Sequence, residues 1–221
     1  MGDFQFGRIV VFLPDLVNGV WLTLALSLAS MSLGLVLGLA LALARLSGRK
    51  LIDWPAYAYI EFFRTTPPLV QIVWIYYGLP GIFGVDLGAF GAAAAALGLN
   101  IAAFFAEIFR AGIAGVDRTQ WQAARVLGLS SVDTLRFVGL PQAARKVLPP
   151  TGTTVIYLIK GTALASAIGT PELLRVGQLV ANETFRPVET LTIVAIAYFV
   201  LTYPIALVFH AIERRLAAGR A

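Results

Sequence analysis

Inside stretches that are otherwise apolar, two Glu–Arg pairs stand at i, i+3 spacing: Glu61 with Arg64, and Glu107 with Arg110. Residues three apart share a helix face, so each pair can neutralise itself and pin a helix end. Ionisable groups within a membrane span are costly and mark function by default, which makes a share in a gate or substrate path the alternative. The two carboxylates could instead divide acid and base work, as in an intramembrane enzyme. Against that reading, the chain has no cysteine, a single histidine at His210 and no nucleophile motif. No catalytic residue is expected, and no metal site, because these residues cannot build a thiolate or multi-histidine cage.

Pro67 and Pro68 carry a different signal. Neither has an N–H, so a helix through them breaks near Thr65–Thr66 and restarts beyond. The restarted half presents free N–H groups, such as those of Leu69 and Val70, and its positive dipole end suits a carboxylate. Transporters commonly hold substrate at broken spans in mid-membrane, whereas a lipid-facing break would strand backbone polar groups in hydrocarbon. Arg64, Thr65 and Thr66 are therefore placed on a substrate path. Gln71 and Asn100, polar and uncharged, either hydrogen-bond substrate or tie spans together. Lys160, alone in an apolar stretch, lines the path, snorkels, or pairs with a buried carboxylate.

These groups need elements that can live in lipid. Of 221 residues, 58% are apolar and 13% charged, against about 45–50% and about 25% in soluble domains. No charge occurs in Leu16–Ala44, Thr65–Val85, Leu87–Ala106 or Thr190–Ile212, and Lys160 alone interrupts Val147–Pro171. A crossing helix needs about 20 apolar residues. The fold class is thus an all-α integral membrane protein, one domain over 1–221, with five spans at about 17–44, 55–80, 88–112, 149–169 and 190–212. No basic–apolar–cleavage pattern opens the chain, so a removable leader is not expected.

Positive charge alternates between connections. Arg45, Arg49 and Lys50, then Arg110, Arg118, Arg125, Arg136, Arg145 and Lys146, then Arg214, Arg215 and Arg220 fall on one side. Arg8, Arg175 and Arg186 fall on the other. The bias of basic residues towards the cytoplasm puts the N-terminus outside and both the 113–148 loop and the C-terminus inside. The net charge of +5 is accounted for by this placement, not by a nucleic-acid partner. In the first span Ser30, Gly34, Gly38 and Ala42 recur every fourth residue, a smooth stripe for close helix approach within the subunit or against a second one.

The cytoplasmic loop is polar and punctuated. Asp117 caps a helix over about 119–127, and Gly128 supplies the turn that ends it. Ser130 with Asp133 resembles a capping box opening a second helix over about 131–138, and Pro141 is expected to stop it. The pair forms a rigid knob for a soluble partner, or an amphipathic helix lying on anionic lipid.

Particular stretches resemble a known family. Gln122-Ala123-Ala124, then Gly128, then Leu140-Pro141 with Ala143, is similar to the EAA loop of ATP-binding-cassette importer permeases. Glu61-Phe62-Phe63-Arg64-Thr65-Thr66-Pro67-Pro68-Leu69-Val70-Gln71 resembles the polar amino acid permease subfamily. So do Glu107-Ile108-Phe109-Arg110-Ala111-Gly112-Ile113 and Leu158-Ile159-Lys160-Gly161-Thr162-Ala163-Leu164. The likeness runs from about 16 to 215 with its motifs in order.

The resemblance implies a type I importer permease working as a dimer with an identical or related permease subunit, in the inner membrane of a bacterium. It implies two cytoplasmic ATPase subunits, an extracytoplasmic amino acid-binding protein, and alternating access driven by ATP. The segment of about 129–138 would sit in a cleft of the ATPase, so Gln122, Ala123, Ala124, Gly128, Leu129, Ser130, Asp133, Arg136 and Pro141 become coupling residues. Lys160 and Thr162 join the substrate path. No GxxxxGK[ST] phosphate loop occurs, so ATP and Mg belong to the partner and this chain binds no cofactor. Gln122 replaces the motif's glutamate and forgoes a charge-assisted contact. Gly161 stands where the family often has an acid, which favours a neutral or acidic polar amino acid over a basic one. A channel that opens without ATP is the other reading, and it leaves the docking loop unexplained.

Overall fold

The computed structural model describes residues 6–218, whose regular elements are all helical. Two 3-10 turns lead into α1 (Leu13–Leu46), a helix of 34 residues, about 51 Å long at 1.5 Å per residue. Then come α2 (Lys50–Thr65), α3 (Pro68–Phe83) and α4 (Gly88–Ala114). A hairpin of α5 (Arg118–Val126) and the short α6 (Ser131–Thr134) follows. A π turn at Leu135–Gly139 joins it to α7 (Leu140–Gly161), which tightens into a 3-10 stretch at Thr162–Ile168. The chain ends in α8 (Leu173–Thr184) and α9 (Pro187–Ala218).

Among the described residues, three helical segments are long and apolar enough to cross a membrane by length and composition: Phe6–Leu46, Gly88–Ala114 and Pro187–Leu216. The predicted second span, 55–80, is two helices. Thr66 and Pro67 are extended, with φ/ψ of −91/142° and −63/131°, so the chain breaks where the two prolines remove backbone donors. The predicted fourth span, 149–169, is the second half of α7 continued by the 3-10 stretch to Gly169, whose φ of +78° ends it.

α4 is the hub. In its apolar window 61% of residues are buried, against 11% in that of α9, because its alanines and glycines let α1, α2, α3 and α7 approach together. The small-residue stripe of α1 faces α4 within the same subunit. A Cβ on Gly38 would lie 2.9 Å from the Ala102 carbonyl oxygen, and Ser30 Oγ donates to the Ala94 carbonyl at 3.2 Å. Ser30, Gly34, Gly38 and Ala42 are all buried there, which decides against the second-subunit reading of the stripe.

Pro141 does not stop the chain, contrary to the sequence expectation. The segment after α6 is wound as a π turn in which the Leu140 N–H donates to the Leu135 carbonyl, five residues back. Pro141 then falls in the first turn of α7, where a missing N–H leaves no intrahelical bond unmade.

Candidate functional site

The break between α2 and α3 is held by two side-chain amides. Without an N–H on Pro67, the Phe63 carbonyl loses its helical donor. Asn100 Nδ2 donates to it at 2.8 Å and Gln71 Nε2 at 3.1 Å. Gln71 Nε2 also reaches the Thr66 carbonyl at 3.1 Å and Thr66 Oγ1 at 2.6 Å, while Asn100 donates to Gln71 Oε1 at 3.1 Å. Both amides are buried, and the bonds they make tie α2, α3 and α4 together. Asn100 sits near the middle of the 27-residue α4, about 18 Å from one end and about 21 Å from the other. The break is therefore at mid-helix depth.

Of the two N–H groups expected to be free, that of Val70 donates to the Pro67 carbonyl at 3.0 Å, a correction to the sequence reading that leaves Leu69 in that role. Thr65 and Thr66 each donate their hydroxyl at 2.7 Å to a carbonyl four residues back, of Glu61 and Phe62. A crevice of about 390 Å³ opens beside the break; its walls are almost wholly apolar, Phe62, Val70 and Trp74 among them, with Thr66 and Gln71 at the break itself. That volume suits a small solute.

The two Glu–Arg pairs are not equivalent. Glu107 and Arg110 form a fork with contacts of 2.7, 3.1 and 3.2 Å. Glu61 and Arg64 stand 4.0 Å apart with side chains 44% and 40% exposed, and the Arg64 guanidinium lies 5.8 Å over the Phe104 ring. The first pair is a pin; the second leaves Arg64 with donors to spare. Arg45 on α1 closes on Asp53 of α2 nearby. One ionic layer thus crosses α1, α2 and α4 towards the Leu46 end of the bundle.

The structure does not bring Lys160 and Thr162 to this cluster. Lys160 is exposed and, among the described residues, makes no ion pair, so pairing with a buried carboxylate falls away. Thr162 is fully buried and donates to the Ile159 carbonyl at 2.7 Å. It belongs to a polar knot that sequence reasoning missed. Glu172, fully buried, caps α8 by accepting from the Leu174 and Arg175 N–H groups at 2.9 and 2.8 Å, and from Tyr198 Oη at 2.8 Å. Thr23 Oγ1 accepts from the Leu173 N–H at 3.1 Å, which ties α1 to the same point. The only signal in the sequence was Glu172 directly before an apolar helix.

The caps and the turn of the hairpin between α4 and α7 are those its sequence predicts, but the second helix, expected over about 131–138, is α-helical only at Ser131–Thr134 before the π turn. Asp117 accepts from the Thr119 N–H and Oγ1 at 2.9 and 2.8 Å, and these bonds hold its carboxyl below the usual carboxylate range. Gly128, at φ +77°, reverses the chain, with the Leu129 N–H donating to the Ala124 carbonyl at 3.1 Å. Ser130 accepts from the Asp133 N–H at 3.1 Å and donates to its carboxylate at 2.5 Å. Trp121 lies across Gly139, where a Cβ would come within 2.5 Å of the ring. Lys146 Nζ donates to the Gly115 carbonyl and ties α7 to the end of α4, while Gln142 Nε2 donates to Gln120 Oε1 at 3.4 Å and ties it to α5.

The locked hairpin exposes large apolar side chains, with Val126, Leu127, Val132 and Phe137 each more than 60% exposed. Arg136 stands among them, 5.5 Å from the Phe137 ring. Gln122, Ala123, Leu129 and Pro141 are exposed; Ala124 is buried beneath the turn. An exposed apolar patch of this kind is suited to contact with a protein or with a membrane surface.

A family model described as "Binding-protein-dependent transport system inner membrane component" matches residues 34–218. The chain is 38% identical to the probable amino-acid ABC transporter permease protein YckA of Bacillus subtilis (strain 168), over 92% of this chain and 90% of that one. It is 36% identical to the glutamine transport system permease protein GlnP of Escherichia coli (strain K12), over 97% and 98%. A solved structure described as an amino acid ABC transporter with histidines superposes with a TM-score of 0.90 at 38% identity, over 97% of this chain and 100% of that one. A match of this breadth, on a chain whose break and hairpin lie inside the matched residues, means that the protein belongs to the inner membrane component family of binding-protein-dependent transport systems.

Proposed function

We propose that the chain is the permease subunit of an ATP-driven importer of polar amino acids, working by alternating access. Members of this family are the membrane-spanning permeases, and ATP is hydrolysed on a separate subunit. The observation that carries the coupling is the capped hairpin, stiff in its backbone and apolar on its outer surface. A stiff element transmits displacement when ATP closes two ATPase subunits, and a flexible one would absorb it. Gln122, Ala123, Gly128, Leu129, Ser130, Asp133, Arg136 and Pro141 lie on or frame that surface, with Ala124 behind them. ATP and Mg are held by the ATPases.

The remaining assembly is a second permease subunit, identical or related, and an extracytoplasmic binding protein. Five spans in the inner membrane of a bacterium put the N-terminus outside and the C-terminus in the cytoplasm.

The substrate class is supported by relatives named for glutamine and L-cystine transport and by the polar break at mid-depth. Arg64, Thr65 and Thr66 line the path beside the break, which Gln71 and Asn100 hold open; Lys160, exposed on α7, contributes to the path away from that cluster, and Thr162 stays in the buried knot. Arg64 with spare donors and Lys160 without an acid beside it make the path electropositive, which favours neutral or acidic side chains over basic ones.

Co-expression with the cognate ATPase tests the coupling. The complex should survive detergent extraction and be lost when residues 128–136 are replaced by a flexible linker. Survival of the complex with that linker would remove the hairpin from the interface.

A further inference from the structure

A second cluster of charge lies where α1 ends and α2 begins. Arg45, Lys50, Asp53, Trp54 and Tyr57 surround a hollow of about 320 Å³. Arg45 donates from Nη1 to Asp53 and stacks 4.9 Å over the Tyr57 ring; its Nε, closed off from solvent, has no partner. Asp53 therefore answers Arg45. Among the described residues neither Lys50 nor the adjoining Arg49 has an acidic partner, and both are exposed. The hollow thus carries an excess of positive charge.

What flanks these cations is apolar. Leu51 is 91% exposed and Trp54 71% exposed, on the first turns of α2. For a purely soluble ligand such side chains would be a liability. At the end of a membrane-crossing helix they sit where hydrocarbon gives way to headgroups, the depth that tryptophan prefers. Basic residues immediately beyond a span attract anionic phosphate there.

We infer that this hollow binds the phosphate headgroup of an anionic phospholipid in the leaflet at the Leu46 end of α1. Lys50 supplies the charge, Arg45 and Tyr57 form the floor, and Leu51 and Trp54 enter the acyl boundary. This goes beyond the transport reading and rests on it only for naming that leaflet cytoplasmic.

The permease–ATPase complex, placed in nanodiscs of phosphatidylcholine with and without phosphatidylglycerol and then extracted, is examined by native mass spectrometry for retained lipid. Phosphatidylglycerol should be retained in preference to phosphatidylcholine. Lys50→Gln should reduce that preference about fivefold, since a basic residue near an anionic surface is worth about 1 kcal/mol. Trp54→Ala should reduce it too, and Arg214→Gln, at an exposed basic residue near the end of α9, should not. Equal retention of the two lipids, or retention unchanged in both Lys50→Gln and Trp54→Ala, would overturn the site. Displacement of phosphatidylglycerol by millimolar inorganic phosphate would reassign it to a soluble anion and overturn the lipid.

Discussion

Removing the amides at the α2–α3 break gives a test whose sign is fixed by hydrogen-bond accounting. Asn100→Ala loses the bonds to the Phe63 carbonyl and to Gln71 Oε1. At about 0.6 kcal/mol per side-chain bond inside a membrane protein, that costs about 1.2 kcal/mol. Gln71→Ala loses the Asn100 bond and its own bonds to the Phe63 carbonyl, the Thr66 carbonyl and Thr66 Oγ1, about 2.4 kcal/mol on the same scale.

In either single variant the Phe63 carbonyl keeps one donor. In the double variant it keeps none, and Pro67 cannot replace them. An orphaned buried carbonyl costs about 1–3 kcal/mol, while the Gln71–Asn100 bond has been counted twice, a correction of about 0.6 kcal/mol the other way. The double variant should therefore exceed the sum of the singles by about 0.5–2.5 kcal/mol. Reversible unfolding in mixed detergent micelles, followed by circular dichroism, measures each corner of the cycle. A double variant that costs no more than the two singles together would refute the clamp.

Three further outcomes follow from the geometry. Gly139→Val drives a side chain into Trp121; ATPase co-purification should fall while the variant retains the far-ultraviolet spectrum of the wild type. Arg64→Gln should slow uptake by at least about tenfold, since a bond to a charged group is worth about 1.5–3 kcal/mol; complex assembly, checked by gel filtration, should not change. The pH test concerns Asp117, whose carboxyl is held low by Thr119. A lowered carboxyl stabilises the fold above its unfolded value, about 3.9, and that contribution is lost as pH falls through the lower folded value. Hydrogen exchange in the amides of α5 should accelerate over that acid range, and Asp117→Asn should remove the pH step.

Much of this was legible in the sequence because it is written in local chemistry. Pro67-Pro68 forces a break whatever surrounds it. Asp117, Gly128 and the Ser130–Asp133 pair bring their own capping groups, so the hairpin could be outlined from spacing alone. Where partners come from distant segments, types and spacing fall short. Asn100 is 37 residues from the carbonyl it closes, so its role as a clamp needed the packing of α2 on α4. The Glu172 knot gathers residues from four elements, and Thr162 was placed on a path when it is part of that knot. Pro141 misled for a local reason: a π turn shifts the hydrogen-bond register by one residue and absorbs a proline that an α-helix would not.

Uptake into proteoliposomes tests the central claim most directly, with the permease, its ATPase and its binding protein reconstituted and ATP supplied on the ATPase side. Val132→Asp, on the exposed face of the hairpin, should abolish uptake of a labelled neutral polar amino acid while leaving the permease folded and inserted. Wild-type uptake should require ATP. Uptake that proceeds without ATP, or at an unchanged rate in Val132→Asp, would contradict the account.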